Sequence, residues 1–172
     1  MFQKLHHIAY RCADAQRTVD FYTRIIGLKL AASVVSEEGH APYGEPVDTA
    51  HIFFEIGDGS YLAFFDLASS PPAQDDPNTP SWVKHLAFEV PDMATLLEGK
   101  RRLQEAGYDV LGPKDHDFCQ SIYFFDPDGH RLEMAVRTEE GGILEKMEKA
   151  APIELAAWNA RKARKYGKLA AE

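Results

Sequence analysis

The chain reads as an α+β protein. Two tandem βαβββ modules form a sheet-lined metal-binding cup, followed by a C-terminal helical tail. Three observations carry this expectation. First, His51-Ile-Phe-Phe-Glu-Ile-Gly-Asp-Gly-Ser-Tyr-Leu-Ala63 aligns without a gap on Ser121-Ile-Tyr-Phe-Phe-Asp-Pro-Asp-Gly-His-Arg-Leu-Glu133. In both, two strand-like runs flank a turn, with Asp58-Gly59 falling on Asp128-Gly129 and Ala63 on Glu133. Second, each copy is preceded by a strand-like segment containing histidine: Leu5-His-His-Ile-Ala-Tyr10 and Val83-Lys-His-Leu-Ala-Phe88. Third, an aspartate follows each of those segments where a helix should start, Asp14 and Asp92, and a glycine stands where it should end, Gly27 and Gly107.

In order, residues 4–12 alternate and form a strand. Ala15, Val19, Tyr22 and Ile26 recur at helical spacing. Strands are expected at 28–35, 50–57 and 60–67, with a polar Gly- and Pro-punctuated loop over 36–50. Residues 68–82 form a linker, because the prolines of Ser69-Ser70-Pro71-Pro72 and Asp75-Asp76-Pro77 remove backbone donors. The second module repeats the order: strand 83–90, a helix carrying Met93, Leu96, Leu97 and Leu103, then strands at 108–112, 119–126 and 131–137. The modules thus span 4–67 and 83–137 within a domain of residues 1–138. The tail is 139–172. Gly141-Gly142 breaks the sheet pattern there, and Pro152 can open a helix over 153–168 that carries Ile153, Leu155, Trp158 and a basic run. A short helix is marginal alone, so the tail is expected to pack on the body or on a second subunit.

The 172 residues are 45% hydrophobic, enough for one compact unit or two halves sharing a core. A net charge of −8 argues against a nucleic-acid partner, whose phosphates need a basic face. No apolar run is long enough to span a bilayer, so no membrane partner is expected. The first residues lead into a strand pattern without an apolar leader, and two cysteines are too few for a disulfide framework. A cytoplasmic location is the expectation. Cys119 reads as a small structural residue before it reads as a catalytic thiol.

Alternation then assigns faces. Ile8 and Tyr10, Leu86 and Phe88, and Leu132, Met134 and Val136 form apolar rows for the helices. His7, His85 and Glu133 lie on the opposite rows, facing the cup. Two imidazoles and a carboxylate suit one divalent metal that keeps open positions. His6 is the rival to His7, but its parity points it toward the helix. His51, Phe53, Glu55, Tyr61, Phe65 and Phe125 share the cup parity and line a substrate pocket, with His51 or Glu55 available as an extra ligand or base. The aromatics suit an aromatic or apolar small molecule, and equally a packed interior.

With these residues in view, the chain resembles the vicinal oxygen chelate superfamily, which includes glyoxalase I, bleomycin-binding proteins, fosfomycin-resistance proteins and extradiol ring-cleaving dioxygenases. The resemblance covers about 4–137 and implies metal ligands His7, His85 and Glu133. Glyoxalase I adds a carboxylate where this chain has Ala63. The three-ligand set resembles the facial triad of extradiol dioxygenases, which implies Fe²⁺ with room for both oxygens of a diol and for O₂; Zn²⁺, Ni²⁺ or Mn²⁺ are the other ions such a set takes. Asp115-His116, Ser121-Ile122-Tyr123 and Asp126-Pro-Asp-Gly129 resemble a segment of single-domain catechol dioxygenases. This implies catalytic roles for Tyr123 and His116, although a cup-filling aromatic and a surface-loop histidine are the plainer readings. One departure stands: two-module extradiol enzymes carry another histidine before the second-module ligand, where this chain reads Pro71-Pro72-Ala-Gln-Asp-Asp76. The leading expectation is a dioxygenase acting on a catechol-like diol. The alternatives are a glyoxalase I-like lyase or isomerase and a non-catalytic binding protein of the resistance type. A homodimer fits the resemblance.

Overall fold

A computed structural model describes residues 3–36, 48–68, 77–139 and 141–166. The loop expected at 36–50 and the Pro-rich start of the linker lie largely outside these residues.

Each module has the expected β-α-β-β-β order. The first contains β1 (His7–Cys12), α1 (Ala15–Asp20), β2 (Lys29–Ser36), β3 (Thr49–Glu55) and β4 (Tyr61–Leu67). The second contains β5 (Leu86–Glu89), α2 (Met93–Glu105), β6 (Leu111–Asp115), β7 (Cys119–Phe125) and β8 (Arg131–Arg137). Each module makes one four-stranded sheet, in the orders β1-β4-β3-β2 and β5-β8-β7-β6. In each sheet the first strand runs parallel to the last, and the remaining pairs are antiparallel.

Local chemistry explains the element ends. The carboxylates of Asp14 and Asp92 accept from the backbone N–H groups of Arg17 and Thr95, as helix caps. The first helix does not stay α-helical to Ile26; it continues as a π-helical segment, Phe21–Ile26, closed by Gly27 at φ +94°. Strand β6 lies three residues later than its pattern suggested. Its register against β7 shifts between Leu111 and Lys114. Gly112 sits in that shift at φ +106°, where an added Cβ would stand 2.5 Å from the carbonyl oxygen of Ser121.

The apolar rows behave as expected. Ile52, Phe54, Leu62 and Phe64 of the first module and Leu96, Leu103, Ile122, Phe124 and Leu132 of the second belong to one buried cluster, with Tyr22 fully enclosed in it. Ile8, Tyr10, Leu86 and Phe88 pack against it. The modules are therefore joined through their helix-covered sides. Polar contacts tie the same seam. The Asp128 carboxylate accepts from the Ala13 N–H at 3.0 Å and the Arg17 guanidinium at 2.6 Å. The Tyr22 hydroxyl donates to Asp126 at 2.9 Å, and the His130 ring donates to the carbonyl of Arg11 at 2.7 Å. Each cup-facing side is left on its own sheet.

The tail forms a single helix, α3 (Ile143–Tyr166), which starts ten residues earlier than expected and carries Pro152 in its interior. Its start meets the body at Leu144, but its later apolar side chains are not covered by the described residues. Ile153, Leu155 and Trp158 are 69%, 60% and 45% exposed. Among the described residues no helix is long and apolar enough to cross a membrane.

Candidate metal and substrate site

The cup-facing residues fall into two groups, one per sheet. On the second sheet, Glu133 pairs with Ala87 on one side and Tyr123 on the other. Its side chain is 9% exposed, and its Oε2 lies 3.2 Å from His85 Nε2. His85 stands just before β5 begins. Its Nδ1 lies 3.1 Å from the carbonyl oxygen of Val83, which can only accept, so Nδ1 carries a proton. In a neutral ring the Nε2 lone pair then faces a carboxylate oxygen. That arrangement calls for a cation between them, the imidazolium's own proton or a metal ion. A carbonyl that orients a histidine in this way is a common support for a metal ligand. Two ligand atoms about 2.1 Å from one metal and at right angles stand about 3 Å apart, so the pair fits a divalent ion.

Tyr123 extends the group. Its hydroxyl is 2.8 Å from His116 Nε2. Burial, then the charge of Glu133, pushes the phenol above its ordinary range. The guanidinium of Arg131 lies 4.5 Å over the Tyr123 ring. Glu133, Tyr123 and His116 line a cavity of about 620 Å³ with Cys119, Phe118 and Leu144 of α3. Arg131, Phe118 and Leu144 were missed in the sequence. Arg131 was within reach of alternation, since it shares a face with Glu133; the approach of Leu144 was not.

On the first sheet, His7 pairs with Tyr61, Ala63 with Phe53, and His51 with Phe65. The His51 ring stacks on Phe65 with centroids 3.6 Å apart and lies 6.5 Å from His7. Burial, then His7, lowers the His51 pKa. Its Nε2 is buried without a hydrogen-bond partner among the described residues. Glu55, expected as an extra ligand or base, is ion-paired with Lys29 at 3.0 Å. Ala63 is fully buried and offers no ligand. His6 and His7 lie Nδ1 to Nδ1 at 2.8 Å. The strand starts only at His7, so alternation does not turn His6 away.

Within one chain the described residues bring His85 and Glu133 together without His7. Among the described residues no three His, Cys, Asp or Glu side chains are gathered to hold an ion. The reason is the seam: joining the modules through their helix sides leaves the two cup faces on separate sheets. The pocket residues divide likewise. His51, Phe53, Glu55, Tyr61 and Phe65 belong to the first sheet, while Phe125 lies beside Arg131 on the second. Cys12 is buried, and burial pushes its thiol up to about 11.

Comparison with known proteins agrees with this architecture. A putative ring-cleaving dioxygenase, MhqA of Bacillus subtilis (strain 168), is 27% identical over 155 residues, covering 82% of this chain. The chain spans only 45% of that relative's length. The lactoylglutathione lyase of Pseudomonas aeruginosa is 26% identical, over 79% of this chain and 84% of the lyase. A crystal structure of a glyoxalase/dioxygenase from Nostoc punctiforme superimposes with a TM-score of 0.58 at 27% identity, covering 80% of this chain and 92% of that one. The family model of the Glyoxalase/Bleomycin resistance protein/Dioxygenase superfamily matches residues 4–134. By that match, and by the paired βαβββ sheets that carry it, the chain belongs to this vicinal oxygen chelate superfamily.

Proposed function

We propose that the protein is a metal-dependent dioxygenase of the extradiol type, acting on a catechol-like diol, and that its complete metal site forms between two copies of the chain. The observation that carries the reading is the His85–Glu133 pair at 3.2 Å, with the Tyr123–His116 pair beside it at 2.8 Å. His85 and Glu133 of one copy would hold the ion with His7 of the second. His7 is exposed on the first sheet, so its ring is accessible to a second copy. Ala63 adds no fourth ligand, which favours a site with open positions over the carboxylate-assisted lyase arrangement.

A divalent metal, Fe²⁺ by preference, would supply Lewis acidity toward two adjacent substrate oxygens and redox access to O₂. The chain's own part is positioning and proton movement. Tyr123 Oη accepts from the substrate hydroxyl that faces it and donates its own proton to His116 Nε2. A proton leaving the diol passes through Oη to His116 Nε2, the acceptor already in place. The raised pKa of Tyr123 suits this relay, because the phenol stays protonated at neutral pH and returns its proton after each transfer. Phe88, Phe118 and Leu144 give part of the cavity wall an apolar surface, which favours an aromatic body.

The test is O₂ uptake by protein purified without oxygen, loaded with Fe²⁺ and offered a panel of catechols. Uptake is expected, and Tyr123→Phe should lower turnover by roughly 10²–10⁴-fold with metal content retained. No uptake across the panel, together with turnover of a hemithioacetal by Ni²⁺- or Zn²⁺-loaded protein, would move the assignment to the lyase branch.

A further inference from the structure

A second cavity lies against the back of the same site. It measures about 570 Å³ and is walled by the end of the linker, the start of β5 and the turn entering β8. Four of its lining side chains are basic: Lys84, His85, His130 and Arg131. Among the described residues, none that lines it is acidic. On a chain of net charge −8, two cations, Lys84 and Arg131, lining one cavity with two histidines are the unusual feature. His130 is occupied, donating to the Arg11 carbonyl, and His85 faces Glu133. Lys84 and Arg131 form no ion pair among the described residues. Arg131 is half-buried and is held over the Tyr123 ring, so its fork is fixed before any ligand arrives. The rest of the wall is apolar, including Pro80, Leu86 and Phe125.

The geometry points to an oxyanion-binding subsite: Arg131 and Lys84 hold a carboxylate- or phosphate-type group of the substrate, whose reacting part lies against Tyr123 and Glu133. The two cavities share no described lining residue, and His85 and Arg131 stand between them. His85 lines this cavity and touches Glu133, and Arg131 lines it and touches Tyr123. A molecule with an anionic group at one end and an aromatic body would thus span from the basic cavity to the proposed metal pair. The assignment rests on the proposed function only in treating the anion as part of the substrate.

The experiment is calorimetric titration of metal-free protein with benzoate, phenyl phosphate and neutral benzamide. It needs neither metal nor O₂, so its failure is separable from a failure to take up oxygen. At least one of the two anions is expected to bind more tightly than benzamide, and the tighter one names the oxyanion. Lys84→Gln and Arg131→Gln should each weaken that anion about tenfold or more and leave benzamide unchanged. Lys84 is exposed, so its variant reads the subsite even if the Arg131 variant loses its fold by circular dichroism. Equal binding of anions and benzamide, or anion binding unaltered in Lys84→Gln and any folded Arg131→Gln, would overturn the assignment.

Discussion

The first module carries Ala63, Phe53 and Ile56 at the points where the second carries Glu133, Tyr123 and Asp126. One backbone plan therefore supports two different surfaces. The second sheet gathers a carboxylate, two histidines, a phenol and an arginine within a few ångströms. The first presents stacked rings, His51 on Phe65 and beside Phe53, with histidines and with Glu55 ion-paired to Lys29. The matching turns diverge in the same way. Asp58 spends its carboxylate locally, on the backbone and hydroxyl of Ser60. Asp126 and Asp128 reach across the seam to Tyr22, Ala13 and Arg17. The two halves share one backbone plan and differ at a few positions, which give the second sheet its ionisable cluster and the first its stacked rings.

The largest expected effect follows from the idea that each half needs its counterpart from a second copy. His7→Ala and His85→Ala should each lose stoichiometric divalent metal while staying folded. Unfolded together and refolded, they should regain metal in about one site in four, because a mixed dimer contains one site with both native histidines. Metal content read by mass spectrometry checks this. No recovery in a sample shown to contain mixed dimers would place the whole site within one chain.

A smaller effect is expected from giving the first sheet the carboxylate it lacks. Ala63 is fully buried between its neighbours, so Ala63→Glu must displace packed atoms and bury a charge. Glu133 is tolerated at the matching point because His85 meets it. We expect Ala63→Glu to lose about 1–3 kcal/mol in urea unfolding of metal-free protein. No loss would mean that the first sheet, too, has a cation waiting for a carboxylate.

The smallest effect concerns the seam. Burial raises the pKa of Asp126 above its ordinary 3.8. A raised folded-state pKa means that the folded protein holds this proton more tightly than the unfolded chain does. The contribution is full below pH 3.8 and is lost as pH rises through the raised value. Asp126→Asn removes the titration, so its stability relative to the parent should rise across that window and then level off. Denaturant midpoints measured at intervals upward from pH 3 check the sign. A parallel pair of curves would show that Asp126 titrates alike in both states.

Much of this was legible in the chain. The repeat, the Asp caps at 14 and 92, the turn glycines and the alternation of apolar rows are local signals, set by backbone geometry within a few residues, and each appears where it was read. Locality also explains why Tyr123, His116 and Glu133 could be grouped: β7 and β8 are joined by a tight turn, so register follows from spacing. The misses have a different origin. The helix α3 runs through Pro152 from Ile143, although the proline suggested a start. Strand β6 shifted because Gly112 sits at a register break that alternation does not see. His7 was placed beside His85 and Glu133 on parity alone. Parity tells which side of a strand a residue faces, but not which sheet that side meets. That choice was made by the long-range burial of Tyr22, Phe54, Leu96 and Leu132 in one core, together with the grip of Asp126 and Asp128 on the first helix. The sequence by itself determined two βαβββ sheets and the residues on their open faces. Only the tertiary structure decided that one chain joins them back to back, because the free energy of a shared apolar core depends on contacts between residues a hundred positions apart.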